Sequence, residues 1–175
     1  RGAPKAATFE QLVSWSQHPE PGIKYFSGEA VYQQKFTVPA EMRAKEAQVL
    51  LDLGTVQVMA EVQLNGKTIA TLWRPPYVAD ITSAVKNGEN RLRLRVVNLW
   101  PNRLIGDEQL PADCERTNEG TLKQWPDWLQ AGRPSPTGRI TFADWRLWNK
   151  HDALQESGLI GPVRLEFGHR EEVRF

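Results

Sequence analysis

Residues 56–72 read Val-Gln-Val-Met-Ala-Glu-Val-Gln-Leu-Asn-Gly-Lys-Thr-Ile-Ala-Thr-Leu. Asn65-Gly66 readily takes the two positive φ angles of a tight hairpin turn, and β-type runs flank it on both sides. The stretch therefore predicts a hairpin with arms Val56–Leu64 and Lys67–Leu72, ended by Pro75-Pro76. A second turn, Lys86-Asn87-Gly88-Glu89-Asn90, feeds the cleanest alternation in the chain. Leu92, Leu94 and Val96 fall on one face, and Arg91, Arg93 and Arg95 on the other. Such a strand has one face on a core, and the arginine row reads as its solvated face.

Upstream, residues 30–38 also alternate with period two until Pro39, and Val49–Leu53 and Tyr77–Ile81 are further strand candidates. Arg139–Phe142 and Pro162–Phe167 complete the set. At the start, Thr8 and Gln11 fit a capping box, and Phe9, Leu12, Val13 and Ser16 form a weak helical stripe. The run His18-Pro19-Glu20-Pro21-Gly22 then ends that helix. Residues 98–138, punctuated by proline and glycine, read as long loops with a short helix at Asp127–Gln130. These signals predict an all-β chain: an antiparallel β-sandwich of the jelly-roll kind with a short N-terminal helix and long loops. The expected division is 1–22 as helix and linker and 23–175 as the jelly roll.

Composition bounds the function. The chain has 175 residues, 40% of them hydrophobic and 25% charged, which is globular composition. Lys plus Arg total 22 and Asp plus Glu 21, a net charge of +1, so nothing global points to nucleic acid or an anionic membrane. No apolar window is long enough to span a bilayer. A single cysteine, Cys114, excludes an internal disulfide and any multi-cysteine metal site. The start at Arg1, without methionine or leader pattern, reads as a piece of something larger.

Enzyme signatures are absent: no Gly-x-Ser-x-Gly elbow, no phosphate-binding glycine loop, no His-Glu-x-x-His. His18, His151 and His169 lack ligand spacing. Cys114 sits among carboxylates, which raise a thiol's pKa, and reads as incidental. The loop carboxylates Asp107, Glu108, Asp113, Glu115, Asp127 and Asp144 read as solvated charges or as a structural Ca²⁺ site, and an acid pair stays open. No other cofactor is expected. Five of the seven tryptophans fall between Trp100 and Trp148, in or beside loops rich in Asn, Arg and Asp. An indole face beside planar polar groups suits the C–H face and hydroxyl rim of a sugar. Taken singly, each ring reads as core that covers the open end of the sandwich; taken together, at least one reads as lining a ligand surface.

Further stretches carry a resemblance. Lys24–Tyr32, Leu51-Asp52-Leu53-Gly54, Ala60-Glu61-Val62 and Leu64-Asn65-Gly66 come first in order. Thr71-Leu72-Trp73-Arg74-Pro75-Pro76-Tyr77, Asn98–Asp107 and Ser157–Val163 follow. Together they resemble the galactose-binding-like jelly-roll domain of large bacterial glycoside hydrolases, of the family 2 type and more closely the family 106 α-L-rhamnosidase-like type. The resemblance implies a non-catalytic, carbohydrate-binding or substrate-shaping accessory domain, set in the bacterial periplasm or outside the cell. Its partners would be a plant-type glycan and a catalytic (β/α)₈ barrel, which 175 residues cannot also hold. It also implies that a loop, Asn98–Asp107, reaches substrate. There Trp100 would stack, Asn102 and Asp107 would hydrogen-bond sugar hydroxyls, and Arg103 would brace the loop or a carboxylate; the alternative is that Asn98, Asn102 and Arg103 cap and tie down the loop internally. Trp125 and Trp128 complete the expected carbohydrate-binding residues. Two rivals remain: a structural module that packs on the barrel, and a small stand-alone hydrolase or lyase using Asp107 and Asp144.

Overall fold

A computed structural model describes residues 2–42 and 47–169. The strands are β1 (Glu29–Val38), β2 (Ala47–Asp52), β3 (Thr55–Gln57), β4 (Met59–Leu64), β5 (Lys67–Leu72), β6 (Val78–Asp80), β7 (Gly88–Val97), β8 (Gly158–Gly161) and β9 (Arg164–His169). Three short helices join them: α1 (Pro21–Lys24), α2 (Pro101–Asp107) and α3 (Asp127–Gln130). No helix of the described residues is long and apolar enough to cross a membrane.

The strands form three antiparallel sheets, ordered β1-β7-β4-β5, β6-β2-β9 and β3-β8. The fold is the all-β sandwich that the alternation predicts. Asn65 (φ 52°) and Gly66 (φ 83°) make the hairpin turn. Register then aligns the apolar faces: Leu92 lies opposite Leu64, Leu94 opposite Val62 and Val96 opposite Ala60. All six are buried, together with Val49, Leu51 and Ala79 from the second sheet and Val56 and Leu159 from the third. Each fully buried Leu or Val of this set contributes about 1.5–3 kcal/mol of transfer free energy. On the outer face Arg95 pairs with Glu29 (2.9 Å) and Glu61 (3.1 Å), Arg93 donates to Gln63, and Lys35 and Arg91 flank Glu89. The arginine row is thus a solvated, charge-paired face, and pairs this exposed add little stability.

Five local expectations are corrected. The stretch Thr8–Ser16 is not a helix; one 3-10 turn occupies Trp15–Gln17. The helix begins where proline suggested an end. Pro21 is its first residue, where a missing N–H costs nothing, and the Glu20 carboxylate accepts from the Gly22 N–H. The arm Val56–Leu64 is two strands, because the chain changes sheets at Val58. Val58 donates its N–H to Val97, and its carbonyl accepts from the Tyr77 hydroxyl. Within the expected loops, Pro101–Asp107 is helical, again with proline in the first turn. Finally, Arg139–Phe142 is not a strand, since its amides serve a side chain instead, as described below. The helix at Asp127–Gln130 forms as predicted.

The chain gathers into two compact units. One comprises Phe9–Ser14, Gly28–Asn98 and Ser157–Phe175 and contains all the strands; the other comprises Arg1–Thr8, Trp15–Ser27 and Leu99–Glu156.

Candidate functional site

The second of these units carries all six expected site residues. Trp100 stands at the start of α2 with 74% of its surface exposed. Behind it α2 is anchored by its own polar side chains. Asn102, 2% exposed, donates to the Gln155 carbonyl (2.7 Å) and accepts from the Gln155 N–H (2.8 Å). Asp107, 3% exposed, accepts through Oδ2 from the Ile140 N–H (3.1 Å), the Thr141 N–H (2.7 Å) and the Thr141 hydroxyl (2.6 Å). Its Oδ1 lies 3.0 Å from Arg103 Nη2. That pair is close but off-line: neither Asp107 Oδ1 nor Arg103 Nε has a hydrogen-bond partner among the described residues. The attraction is therefore coulombic, strengthened by burial. Arg103 also lies over the Tyr25 ring (5.9 Å). Gly106 is needed for this approach, because a Cβ there would sit 2.5–2.7 Å from Arg103 Nη2 and Tyr25.

Asp107 thus fixes a segment, residues 139–146, that has no sheet of its own. Arg139 binds Glu108 (2.7 Å) and the carbonyls of Leu110 and Pro111. Phe142 follows, and Trp125 and Trp128 contact it, each with its ring centroid 5.8 Å away. Arg116 lies over Phe142 and donates to the carbonyls of Gly120, Ala143 and Asp144. Trp128 donates its indole N–H to the Asp113 carbonyl, and Trp145 donates to that of Glu119. Such anchors fix ring orientation while leaving faces free. Trp125 is 56% exposed and Trp145 52%.

Two clefts open here. One, about 600 Å³, is lined by Trp128, Asp113, Glu115, Asp127, Arg133 and Pro134 among others. The other, about 370 Å³, is lined by Arg116, Arg139, Arg146, Asn118, Asp113 and Glu108 among others. Cys114 borders both. Phe142 and the 139–146 segment bring Trp125 and Trp128 into one assembly with Asp107, whereas Trp100 makes none of these ring contacts. Residue-type reasoning counted Trp145 among the loop indoles but passed over Arg116 and Arg146 as lining residues. The signal was present in the run Asp144-Trp145-Arg146, an indole beside a cation.

No three His, Cys, Asp or Glu side chains among the described residues gather as metal ligands. Burial pushes the Cys114 thiol above its ordinary range; Arg116 opposes this and Asp113 adds to it. The thiolate is the reactive form. Alkylation by iodoacetamide at neutral pH is therefore expected to be slower than for a free thiol, accelerating only at alkaline pH. Rates followed by mass spectrometry from neutral to alkaline pH check this; rapid labelling at neutral pH would contradict it.

The strands make an antiparallel β-sandwich, and exposed indoles and polar clefts gather on the Leu99–Glu156 segment. A family model described as "Glycosyl hydrolase 2 galactose-binding domain-like" matches residues 20–135, and the chain belongs to that family. A protein named "Putative beta-glucuronidase" from Formosa agariphila is 50% identical over 157 residues, which is 90% of this chain. The solved rhamnosidase from Novosphingobium sp. PP1Y superposes with a TM-score of 0.74 at 35% identity over 94% of the chain. The Bifidobacterium dentium beta-glucuronidase shares the fold, with a TM-score of 0.59 and 22% identity over 95% of the chain and 26% of that protein. This chain spans 13% of the length of each of the first two relatives. It corresponds to one domain of such enzymes rather than to a whole enzyme, and is not catalytic by itself.

Proposed function

We propose that the chain is a carbohydrate-binding or substrate-shaping accessory domain of a glycoside hydrolase, with bond cleavage performed by a catalytic barrel elsewhere in a longer protein. The observation that carries this reading is the exposure of Trp100, Trp125 and Trp145 on loops that are otherwise pinned by buried hydrogen bonds. Large aromatics left in water on a rigid support are surfaces for a ligand. In this reading Trp100, Trp125 and Trp128 meet the glycan; Asn102 and Asp107, expected to bond sugar hydroxyls, are instead buried on Gln155, Ile140 and Thr141, and with Arg103 they hold the elements that present the rings. The glycan is of the plant type, and its contacts with an open surface are weak.

Titrating the chain with neutral mono- and oligosaccharides while following tryptophan fluorescence tests it. A saturable change in the millimolar range is expected, weakened about tenfold by Trp100→Ala or Trp125→Ala. A titration that is flat with neutral and acidic sugars alike would sink the reading.

One observation favours a second role. Trp73, 66% exposed and flanked by exposed Arg74, Pro75 and Pro76, forms an apolar tip after β5. That tip suits packing on the barrel. Trp73→Ala would then loosen the parent enzyme's assembly while leaving sugar binding by this chain unchanged.

A further inference from the structure

The arginine-lined cleft is chemically unlike its neighbour. Three cations, Arg116, Arg139 and Arg146, face it, against the carboxylates of Glu108 and Asp113. Arg139 is spent: Glu108 neutralises it, and the Pro111 and Leu110 carbonyls take its Nε and Nη2. Arg116 is half-buried, and its hydrogen-bond partners among the described residues are neutral: three backbone carbonyls. Of its five N–H donors two remain uncommitted. No carboxylate lies within ion-pair distance of Arg116 or Arg146 among the described residues. Arg116 keeps its charge fixed in orientation and unneutralised, which is the arrangement that receives an anion.

The same residues continue into a small adjoining recess of about 40 Å³ that Trp145 and Trp148 also line. Trp145 is held by its indole N–H, and the Arg146 N–H bonds the Gly120 carbonyl (3.0 Å). Arg116 and Arg146 thus line both the larger cleft and the recess, and the half-exposed Trp145 indole borders that depression through the recess alone.

We propose that this depression takes a sugar bearing an anionic group, a carboxylate or a sulfate ester, with Trp145 stacking the ring and Arg116 and Arg146 holding the charge. The inference rests on the reading that the chain binds glycans, and narrows the glycan to an acidic one. Asp113, the remaining carboxylate lining the cleft, opposes an anion there and limits the gain that the two guanidinium groups supply.

The test uses the 175-residue chain and three probes with the same ring: methyl β-D-glucoside, its 6-sulfate, and methyl β-D-glucuronide. A neutral oligosaccharide serves as a fourth arm. Calorimetric titration at about 50 mM salt is expected to show one or both anionic probes binding roughly tenfold more tightly than the neutral glucoside. Which of them does so identifies the anionic group. The advantage should shrink at about 500 mM salt, where exposed charges are screened. It should be lost in Arg146→Gln and partly retained in Arg146→Lys. Arg146 is exposed, so these variants keep the fold, which circular dichroism verifies. Equal binding of neutral and anionic probes, or an anionic preference untouched by Arg146→Gln, overturns the inference while glycan binding itself stands. Binding of none of the four probes overturns both.

Discussion

Asp107→Ala is expected to cost the fold about 3–5 kcal/mol, the range for removing one partner of a buried ion pair. The substitution leaves the buried Arg103 guanidinium without its counter-charge. It also strands the Ile140 N–H, the Thr141 N–H and the Thr141 hydroxyl, which all converge on one carboxylate oxygen. Buried donors deprived of an acceptor cost about 1–3 kcal/mol each when water cannot reach them. Urea unfolding of the variant should therefore show a sharply lowered midpoint. Asp107→Asn keeps a carbonyl acceptor but loses the charge, and should fall between variant and parent. Because the Asp107-bound segment leads directly into Phe142, which Trp125 and Trp128 contact, the glycan affinity of a still-folded variant should drop as well. A loss below about 1 kcal/mol would show that the carboxylate is not the anchor described.

Gly54→Ala should be comparably damaging in the other unit. Gly54 has φ +62°, and a Cβ there would lie 2.5 Å from the carbonyl carbon and oxygen of Gly161 and 2.7 Å from the Pro162 oxygen. These are backbone atoms at the β3–β8 junction and cannot swing aside as a side chain end can. Overpacking costs about 1–3 kcal/mol and the left-handed conformation about 1–2 more, so a loss of about 2–5 kcal/mol follows. Gly66→Ala is the control. Gly66 has φ +83°, yet no atom lies within 4 Å of its added Cβ, so only the conformational part, about 1–2 kcal/mol, applies. Thermal unfolding of the pair separates steric from conformational cost. Equal losses would mean that the close approach to Gly161 does not matter.

The reach of the sequence differs between the two units for a physical reason. In the sandwich, local pattern and tertiary environment agree. Asn65-Gly66 carries its own turn geometry, and Leu92, Leu94 and Val96 separate from Arg91, Arg93 and Arg95 by the period of the strand itself. The division of Val56–Leu64 into two strands was not visible, because Gln57 and Val58 look like any strand residues. What separates them is the choice of partner, β8 for one side and β5 and β7 for the other.

In the Leu99–Glu156 unit, the composition pointed to the right residues but not to their use. Proline and glycine suggested loop around Asn98–Asp107, whereas Pro101 opens a helix and Gly106 serves close packing on Tyr25 and Arg103. Arg139–Phe142 has the makeup of a strand, but the amides of Ile140 and Thr141 find a carboxylate rather than a neighbouring chain.

The sequence by itself determined the alternating strands, the Asn-Gly hairpin, the short helix at Asp127–Gln130 and the concentration of indoles beside polar residues, since each of these is written in local periodicity or residue type. Only the tertiary structure decided that Asp107 faces inward while Trp100 faces outward, and that Arg139 is neutralised while Arg116 is not. Those outcomes depend on which distant groups arrive within bonding distance, and one-dimensional spacing carries no record of that.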